Sequence, residues 1–319
     1  MKLSFVIPCY YSEMTIENVI SEIREMMKIR PDCDFEIIAV NDCSPDNVLA
    51  VLKKIAENDS KVKVIDLAKN VGKHAAVMAG FSVVSGDIIV NLDDDGQCPM
   101  DKLWELIEPL ENGYDVSVSR YPRNKQSAFK NFGSKVNAVM AQYLIGKPKN
   151  LYLGNFSAAK RFVIDEMSKY DKPFPYLSGL LLRTTSKICN VDMIERERAA
   201  GVGHYTFIKS LKLWLNGFTA FSVKPLRIST VLGAICALIG FVFGIITVVN
   251  KLLHPEMQAG YSSTMAVILF IGGMIMMMLG MIGEYIGRIY ICINNSPQYV
   301  IRNTINISPD QKEDDHEKP

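Results

Sequence analysis

The sequence has no excess of charge of either sign and no paired cysteine motif. Lys and Arg total 35 against 34 Asp and Glu, so the net charge of +1 gives no global attraction for nucleic acid. The seven cysteines are scattered and odd in number, and no two of them form a CxxC pair. This pattern argues against a zinc ribbon or a disulfide framework, and it favours reduced thiols facing a cytosol.

Two glycine-rich phosphate-binding motifs are also absent. No GxGxxG follows the first apolar run, and no GxxxxGK[ST] occurs, because the lysine of NVGKHAA has no Walker context. A dinucleotide-binding Rossmann site and a P-loop are therefore not expected. The N-terminal stretch MKLSFVIPCYYSE contains Pro8 and soon reaches Glu13, so it predicts a buried strand rather than a signal peptide.

From residue 3 to about residue 119, short apolar runs alternate with segments of helical spacing. The runs LSFVIP, FEIIAV, VKVIDL, DIIVNL and YDVSVS predict five strands. The segments between them predict helices, with Thr15 and Ser44 as N-terminal caps of the first two. This alternation predicts an α/β domain with a mostly parallel sheet that is flanked by helices.

Ligands of such sheets bind beyond the carboxyl ends of the strands, and polar residues follow each predicted strand. Acidic and basic side chains would therefore meet at one rim of the sheet. An anionic ligand that binds together with a divalent metal requires both kinds of group. The candidates are Pro8, Cys9, Tyr10, Asn41, Asp42, Asn70, Gly72, Lys73, Asp93, Asp95, Gln97, Ser119 and Arg120.

The stretch NLDDDGQCP gathers three aspartates directly after the fourth predicted strand. Oxygen ligands from Asp93, Asp95 and Gln97 suit Mg²⁺ or Mn²⁺ that bridges to diphosphate oxygens. The alternative for this motif alone is a solvated acidic turn, since a lone DxD arises by chance. Its position at a strand end and the basic Arg120 after the next strand favour the metal site.

Two uncharged stretches, 228–249 and 264–283, are long enough to cross a bilayer and are joined by a short linker. They predict a two-helix transmembrane hairpin, with buried core helices as the alternative. Basic residues flank the outer ends of the hairpin, which predicts that residues before 228 and the tail after the second span lie in the cytosol, with the linker 250–263 on the other side. Residues 204–227 mix basic and aromatic side chains, as interfacial helices do, and ordinary amphipathic helices are the alternative.

Several motifs together resemble the inverting glycosyltransferases of family 2, of the GT-A type, in the branch that glycosylates polyprenyl phosphate. VIPCYYSE is similar to the family's VIPVYNE, with Tyr11 and Ser12 as departures. VNDCSPD is similar to VDDGSxD, with Asn41 for Asp and Cys43 for Gly. NVGKHAAVMAGF, LDDDGQCP, the segment beginning ERERAAG, FSVKPLR and GEYIGRIYICINNSPQYV complete a resemblance that covers residues 2–302.

The resemblance implies transfer of a sugar from a nucleotide sugar to undecaprenyl phosphate, with UDP-glucose as the default donor and Mg²⁺ or Mn²⁺ as cofactor. It implies a plasma-membrane protein of several spans that forms a homo-oligomer, a tetramer in similar enzymes. The implied units are a catalytic domain over 1–203, interfacial helices over 204–227, membrane helices within 228–290 and a cytosolic tail over 291–319.

Roles for individual residues follow from the resemblance together with their positions at strand ends or close to the predicted membrane segments. The catalytic group is Asp93, Asp95 and Arg120, and the metal group is Asp95, Gln97 and Asp93. The nucleotide is assigned to Pro8, Tyr10, Asp42, Asn70, Lys73, Asp93 and Asp94. The acceptor phosphate is assigned to Arg198, Lys130, Ser134 and Lys135.

Three other functions are alternatives to this one. A nucleotidyltransferase would need a GxGTR loop, which VIPCYYSE is not. A membrane receptor or transport component would need a substrate path, and the two spans carry no charge pair. A processive polysaccharide synthase is the alternative within glycosyl transfer, although no QxxRW motif occurs and the spans are too few for a channel.

Overall fold

The computed structural model describes residues 1–121, 147–194, 196, 224–253, 260–294 and 296–307. The chain divides into two compact units. One comprises Met1–Phe207 together with Ser296–Pro319, and the other comprises Ile208–Asn295. The predicted acceptor residues Arg198, Lys130, Ser134 and Lys135 lie outside the described residues, as does most of the segment 204–227.

An eight-stranded sheet organises the first unit, in the order β7-β5-β6-β4-β1-β2-β3-β8. Its strands are β1 Lys2–Cys9, β2 Asp34–Asn41, β3 Val62–Leu67, β4 Ile88–Asn91, β5 Val116–Arg120, β6 Ser157–Lys160, β7 Ile188–Asp192 and β8 Ile301–Ile305. The five strands predicted from the sequence are β1 to β5, and the alternation of apolar runs with helices is confirmed.

The sheet is mixed: the five predicted strands run in one direction, as expected, and two strands that were not predicted, β6 and β8, run in the opposite direction. β1 pairs in parallel with β2 and β4, β2 with β3, and β5 with β7. β6 lies antiparallel between β4 and β5, and β8 lies antiparallel beside β3. Six strands therefore end at one rim of the sheet, while β6 and β8 begin there.

Helices flank this sheet: α1 Ile16–Lys28, α2 Val48–Asn58, α3 Lys73–Phe81, α4 Leu103–Glu111, α5 Arg161–Ser168 and α6 Leu177–Thr184, with a 3₁₀ turn at Met100–Lys102. α1 buries one face at helical spacing, through Ile16, Val19, Ile20, Ile23 and Met27. α3 is buried over Ala75–Phe81. It packs closely against β1 at Gly80, where an added Cβ would clash with Cγ1 of Val6.

The start of α2 differs from the sequence prediction. α2 begins at Val48 with Asn47 as its N-cap, three residues after the predicted cap Ser44. Ser44 instead bonds within the rim: its Oγ donates to Oδ1 of Asp46 at 2.6 Å and accepts the N–H of Tyr11 at 2.8 Å. Hydrogen bonds from a serine hydroxyl to nearby loop groups compete with the hydrogen bond that the same hydroxyl would make as a helix cap.

The tail predicted from residue 291 onward contains β8, a strand of the main sheet. β8 pairs with the edge strand β3, from Val64 opposite Ile305 to Leu67 opposite Ile301. No local sequence pattern indicates this pairing. The charged residues after 307 make the C-terminal segment as a whole look like an exposed tail. The edge of the sheet that β3 would otherwise present is covered by β8.

The second unit contains two long helices, α7 Lys224–Leu253 and α8 Tyr261–Ile293. They contact one another, with Sγ of Cys236 lying 3.4 Å from Sδ of Met274. Within the described residues, Phe270–Ile293 is the stretch long and apolar enough to cross a membrane, and Gly233–Ile246 is a shorter apolar stretch. The predicted pair of membrane spans over 228–249 and 264–283 stays a prediction.

Candidate active site

The loop after β2 is tied to the loop after β3 through Asp42. The buried Asp42 carboxylate accepts the N–H of Val71 at 2.7 Å through Oδ1 and the N–H of Gly72 at 2.9 Å through Oδ2. Asn70 Nδ2 adds a third donor at 3.0 Å. Burial raises the pKa of Asp42, and the two N–H donors oppose that rise. The carboxylate therefore holds a fixed loop immediately before α3.

Two departures from the family motif fall where the backbone turns left-handed. Cys43, in place of glycine, has φ 47, and Tyr11, in place of asparagine, has φ 59. Glycine and asparagine enter this region at lower steric cost than other residues. The left-handed backbone at these two positions therefore carries side chains that fit it less well than glycine or asparagine would.

Asn41 stands where the family motif has its first aspartate. The buried Asn41 donates from Nδ2 to Oδ1 of Asp66 at 2.7 Å, and its Oδ1 accepts the N–H of Ser44 at 3.1 Å. An amide can be donor and acceptor at once, whereas an ionised carboxylate only accepts. Asn41 is therefore matched to an acidic neighbour on β3.

Asp93 opens the acidic turn after β4, and its side chain has two partners among the described residues. It forms an ion pair with Nζ of Lys73, the first residue of α3. Its Oδ2 accepts a hydrogen bond at 2.9 Å from Nδ2 of Asn155, which lies just before β6. Because β6 begins at the rim where β4 ends, Asn155 reaches the turn from the antiparallel direction.

Asp94 has a structural place within the same turn. Its Oδ2 accepts the N–H of Tyr10 at 2.9 Å, and its main-chain carbonyl accepts a hydrogen bond from Oγ1 of Thr15 at 2.6 Å. Burial raises the pKa of Asp94 to about 6, although the Tyr10 N–H opposes the shift. Asp94 thereby joins the acidic turn to the loop after β1, and the exposed ring of Tyr10 lies beside it.

Asp95 and Gln97 form the remainder of the turn. Oδ1 of Asp95 accepts the N–H of Gln97 at 3.1 Å, and Nε2 of Gln97 donates to the carbonyl of Arg196 at 3.3 Å. Within the described residues, no three His, Cys, Asp or Glu side chains are grouped to hold a metal ion. Mg²⁺ needs no such group, because it is commonly held by one or two carboxylates plus substrate phosphates. The carboxylates of Asp93 and Asp95 fit that mode.

A cavity of about 150 Å³ opens beside this turn. Its wall between Tyr152 and Phe156 is packed closely, because a Cβ on Gly154 would lie 2.9 Å from the ring of Tyr152 and 3.1 Å from the carbonyl of Ser119. The cavity is lined by Asp93, Gln97, Cys98, Tyr121, Tyr152, Leu153, Gly154, Asn155 and Phe156.

Arg120 ends β5 at the same rim and already has an anionic partner. Its Nε and Nη2 donate to the two carboxylate oxygens of Asp192 at 2.5 and 2.8 Å. Asp192 ends the neighbouring strand β7, so the parallel pairing of β5 and β7 brings the two side chains together. Hydrogen bonding to Asp192 raises the pKa of Arg120, which keeps the guanidinium charged.

The structure thus gathers most of the residues predicted for the rim. Tyr10 meets Asp94, Asp42 meets Asn70, and Lys73 meets Asp93. Pro8 is different, because it is buried within β1, paired with Val40.

Sequence reasoning missed Asn155, Asp192 and Arg302, the last of which lies 3.6 Å from Asp66. The rule that ligands lie at strand ends could not indicate Asn155 or Arg302, because β6 and β8 approach the rim with their starts.

Comparisons with known proteins agree with this architecture. The model of glycosyl transferase family 2 matches residues 4–168, and the model of the GtrB C-terminal hairpin matches residues 224–289. The bactoprenol glucosyl transferase of Shigella phage SfII is 30% identical over 303 residues, which cover 95% of this chain and 98% of that protein.

Two further comparisons concern another named activity and the fold. The undecaprenyl-phosphate 4-deoxy-4-formamido-L-arabinose transferase of Yersinia pestis is 32% identical, over 99% of this chain and 98% of that protein. Mannosyl-3-phosphoglycerate synthase from Rubrobacter xylanophilus shares the fold, with a TM-score of 0.51 and 17% identity over 71% of this chain and 74% of that one. The α/β unit is GT-A-like, and the chain belongs to glycosyl transferase family 2.

Proposed function

We propose that this chain transfers a sugar from a nucleoside diphosphate sugar to undecaprenyl phosphate, with inversion at the anomeric carbon. The observation that carries the proposal is the acidic turn from Asp93 to Gln97, held by Lys73 and Asn155 beside a cavity of about 150 Å³. The named activities of the bactoprenol and formamido-arabinose relatives supply the acceptor class.

The donor nucleotide is assigned to the loops after β1, β2 and β3. Asp42, which Asn70 contacts, and the exposed ring of Tyr10 are the groups proposed to bind the base and the ribose. Lys73 can turn from Asp93 toward a diphosphate, because a charge-assisted contact to phosphate is comparable to the ion pair that it replaces. Pro8 and Asp94 are proposed to support nucleotide binding by fixing the conformation of the loop after β1, where Asp94 accepts the N–H of Tyr10.

The leaving diphosphate is assigned to the acidic turn. A divalent cation on Asp95 and Asp93, with Gln97 nearby, would neutralise the charge that develops on the leaving oxygen. Arg120 can contribute a bidentate contact, but its pair with Asp192 must then open or be shared. Asn155 keeps Asp93 oriented while the donor binds.

The reaction forms a bond between an acceptor phosphate oxygen and the anomeric carbon as the bond from that carbon to the diphosphate breaks. By analogy with phosphorylated side chains, the acceptor has a second pKa near 6 and is largely ionised at neutral pH. No protein base is therefore required to remove a proton from it. Arg198, Lys130, Ser134 and Lys135 are proposed to hold this acceptor phosphate.

The location of the reaction belongs to the same proposal. α7 and α8 would anchor the chain in the plasma membrane as two spans, with residues 1–203 on the cytosolic side and 204–227 at the interface. The lipid chain of the acceptor would then stay in the bilayer while its phosphate reaches the rim. Assembly of several copies is part of this expectation.

The test is a screen of nucleotide sugars against a short-chain polyprenyl phosphate, with lipid-linked product read by mass spectrometry. UDP-glucose is the first donor, and other UDP-sugars follow. Asp95→Asn removes a proposed metal ligand and is expected to lower the rate of transfer at least about a hundredfold, which corresponds to a barrier roughly 3 kcal/mol higher. Asp87→Asn is the matched control, because Asp87 lies at the opposite end of β4 and accepts the N–H of Lys2.

Three outcomes would contradict the proposal. One is lipid-linked product from the Asp95→Asn variant at the rate of the unchanged chain. Another is full activity in excess chelator, which would remove the metal from the mechanism. A third is product carrying many sugars on one acceptor, which would favour a processive polysaccharide transferase.

A further inference from the structure

The segment that follows α8 in the sequence, residues 296–307, is fastened to the first unit at both of its ends. Near its start, Nε2 of Gln298 donates to the carbonyl of Lys172 at 3.0 Å. Near its end, Nδ2 of Asn306 donates to the carbonyl of Val62 at 2.9 Å. Between these points β8 pairs with β3. The segment is therefore part of the sheet that carries the candidate active site.

Arg302 is the residue of β8 that reaches the rim. Its Nη2 donates to the carbonyl of Ala68 at 2.8 Å, and its Nη1 lies 3.6 Å from Oδ2 of Asp66. The N–H of Ala68 in turn donates to the carbonyl of Val300 at 2.8 Å. Both polar groups of Ala68 are thus bonded to the C-terminal segment, two residues before the loop that Asp42 holds.

Asp66 gives the contact an electrostatic reason. The Asp66 side chain is only 8% exposed, and its Oδ1 accepts a hydrogen bond from the amide of Asn41. A buried carboxylate requires a compensating charge or further donors. Among the described residues, Arg302 is the cation within 4 Å of Asp66. Arg302 thereby holds Asp66, which holds Asn41, the neighbour of Asp42.

We propose that Arg302 is a positioning residue for the donor nucleotide, acting through Asp66 and Ala68 on the loops that present Asp42 and Asn70. The inference rests on the proposed function, since it deepens the assignment of that loop to the nucleotide. Arg302 touches neither the acidic turn nor its cavity in the described structure. It should therefore affect donor binding far more than the rate of the bound complex.

The alternative is that Arg302 is an ordinary surface ion pair, because its side chain is 55% exposed. Such pairs contribute little and act on overall stability. Arg24 provides a matched control of that kind: its Nε and Nη2 both donate to Oδ2 of Asp59, at 3.0 and 2.6 Å. Arg24 lies on α1 and Asp59 directly follows α2, and neither contacts the loops of the rim in the described structure.

The experiment compares Arg302→Met, Arg302→Lys and Arg24→Met in the full-length chain. The first readout is hydrogen exchange at the Val71 and Gly72 amides, which donate to Asp42. The second is calorimetric binding of UDP, and the third is KM and kcat for the UDP-sugar. For Arg302→Met we expect amide exchange and the Kd for UDP both to rise about tenfold, as loss of one charge-assisted contact predicts, with kcat within about twofold.

Arg302→Lys keeps the charge but loses the forked geometry, so its Kd should lie between those of the unchanged chain and Arg302→Met. Arg24→Met should leave the Kd and both amides unchanged. Unchanged exchange and Kd in Arg302→Met would overturn the proposal, as would a fall in kcat at constant KM. If the unchanged chain binds no nucleoside diphosphate, and Arg302→Met still exchanges its Val71 and Gly72 amides faster, then the result overturns the proposed function and leaves the positioning role of Arg302 in place.

Discussion

Asn41 donates its side-chain Nδ2 hydrogen to Oδ1 of Asp66 across 2.7 Å, and both side chains are buried. The family motif has aspartate at position 41, and a carboxylate there would face the carboxylate of Asp66. Two like charges at this distance cannot both remain ionised without a large cost. The amide at position 41 is thus suited to the carboxylate opposite to it on β3.

The first prediction concerns that pair. Asn41→Asp should destabilise the chain by about 2 kcal/mol at pH 7, because it replaces a hydrogen bond with a buried repulsion. The measurement is chemical unfolding followed by tryptophan fluorescence. Adding Asp66→Asn should restore most of the loss, since the amide introduced at position 66 can donate to the new carboxylate. A double variant as unstable as the sum of both single variants would contradict the pairing.

The second prediction concerns the left-handed residue Cys43. Cys43→Gly should raise the thermal midpoint, because the relief of a strain of roughly 1–2 kcal/mol outweighs the added flexibility of the unfolded chain. The net gain expected is about 0.5–1 kcal/mol. Cys43→Ala is the control, because it removes the sulfur but keeps a Cβ at φ 47, and it should give no gain. A gain of equal size from alanine would show that the sulfur, not the backbone, was responsible.

The third prediction concerns Asn155. Asn155→Ala should lower the rate of transfer about tenfold, because Asp93 then loses the charge-assisted hydrogen bond from the Asn155 amide. Asn155→Asp should lower it further, because a second carboxylate would face Asp93. Initial rates of lipid-linked product measure both effects. Asn58→Asp serves as the control, because Asn58 bonds to the carbonyl of Lys54 at the end of α2, and its rate should not change. Equal rates for the alanine and aspartate variants would exclude an electrostatic role.

The fourth prediction concerns pH and His74, the second residue of α3. Burial, followed by the charge of Lys73, lowers the pKa of His74 to about 4, and its Nδ1 is buried without a hydrogen-bond partner among the described residues. The unfolded imidazole titrates near 6.5. Between these values the unfolded state binds more protons, so stability is full above about pH 6.5 and falls as the pH decreases toward 4.

The corresponding loss reaches at most about 3 kcal/mol, from 1.36 kcal/mol per pKa unit. The thermal midpoint of the detergent-solubilised chain, measured between pH 4.5 and 7.5, tests this expectation. His74→Gln should flatten that part of the profile, because the amide does not titrate. An unchanged profile in the glutamine variant would assign the pH dependence to other groups.

The first half of the fold was predictable because its pattern is local. Buried strands such as β1 are continuous apolar runs, and amphipathic helices such as α1 repeat at their own period, so adjacent residues reveal each element. Once the strands are known to be parallel, their ends must share a rim. That reasoning predicts Asp42, Lys73 and Asp93 at one rim, and the structure brings each into contact with another rim residue.

The antiparallel strands were decided only by tertiary structure. β6 enters between β4 and β5, and β8 returns to β3 from more than two hundred residues away in the chain. Their pairing depends on which edge of the sheet is open and on which distant backbone groups remain to be bonded. No local period records that choice. For this reason Asn155 and Arg302 were absent from the predicted site.

The sequence by itself therefore determined the α/β framework, the family and the acidic turn from Asp93 to Gln97, because short motifs and neighbouring residues carry them. Tertiary structure alone decided the partners of those residues. In the folded chain Asp93 contacts Asn155, and Arg120 contacts Asp192. Asp66 contacts both Asn41 and Arg302. These pairs join residues far apart in sequence, and their charges and donors meet only when the strands that carry them lie side by side.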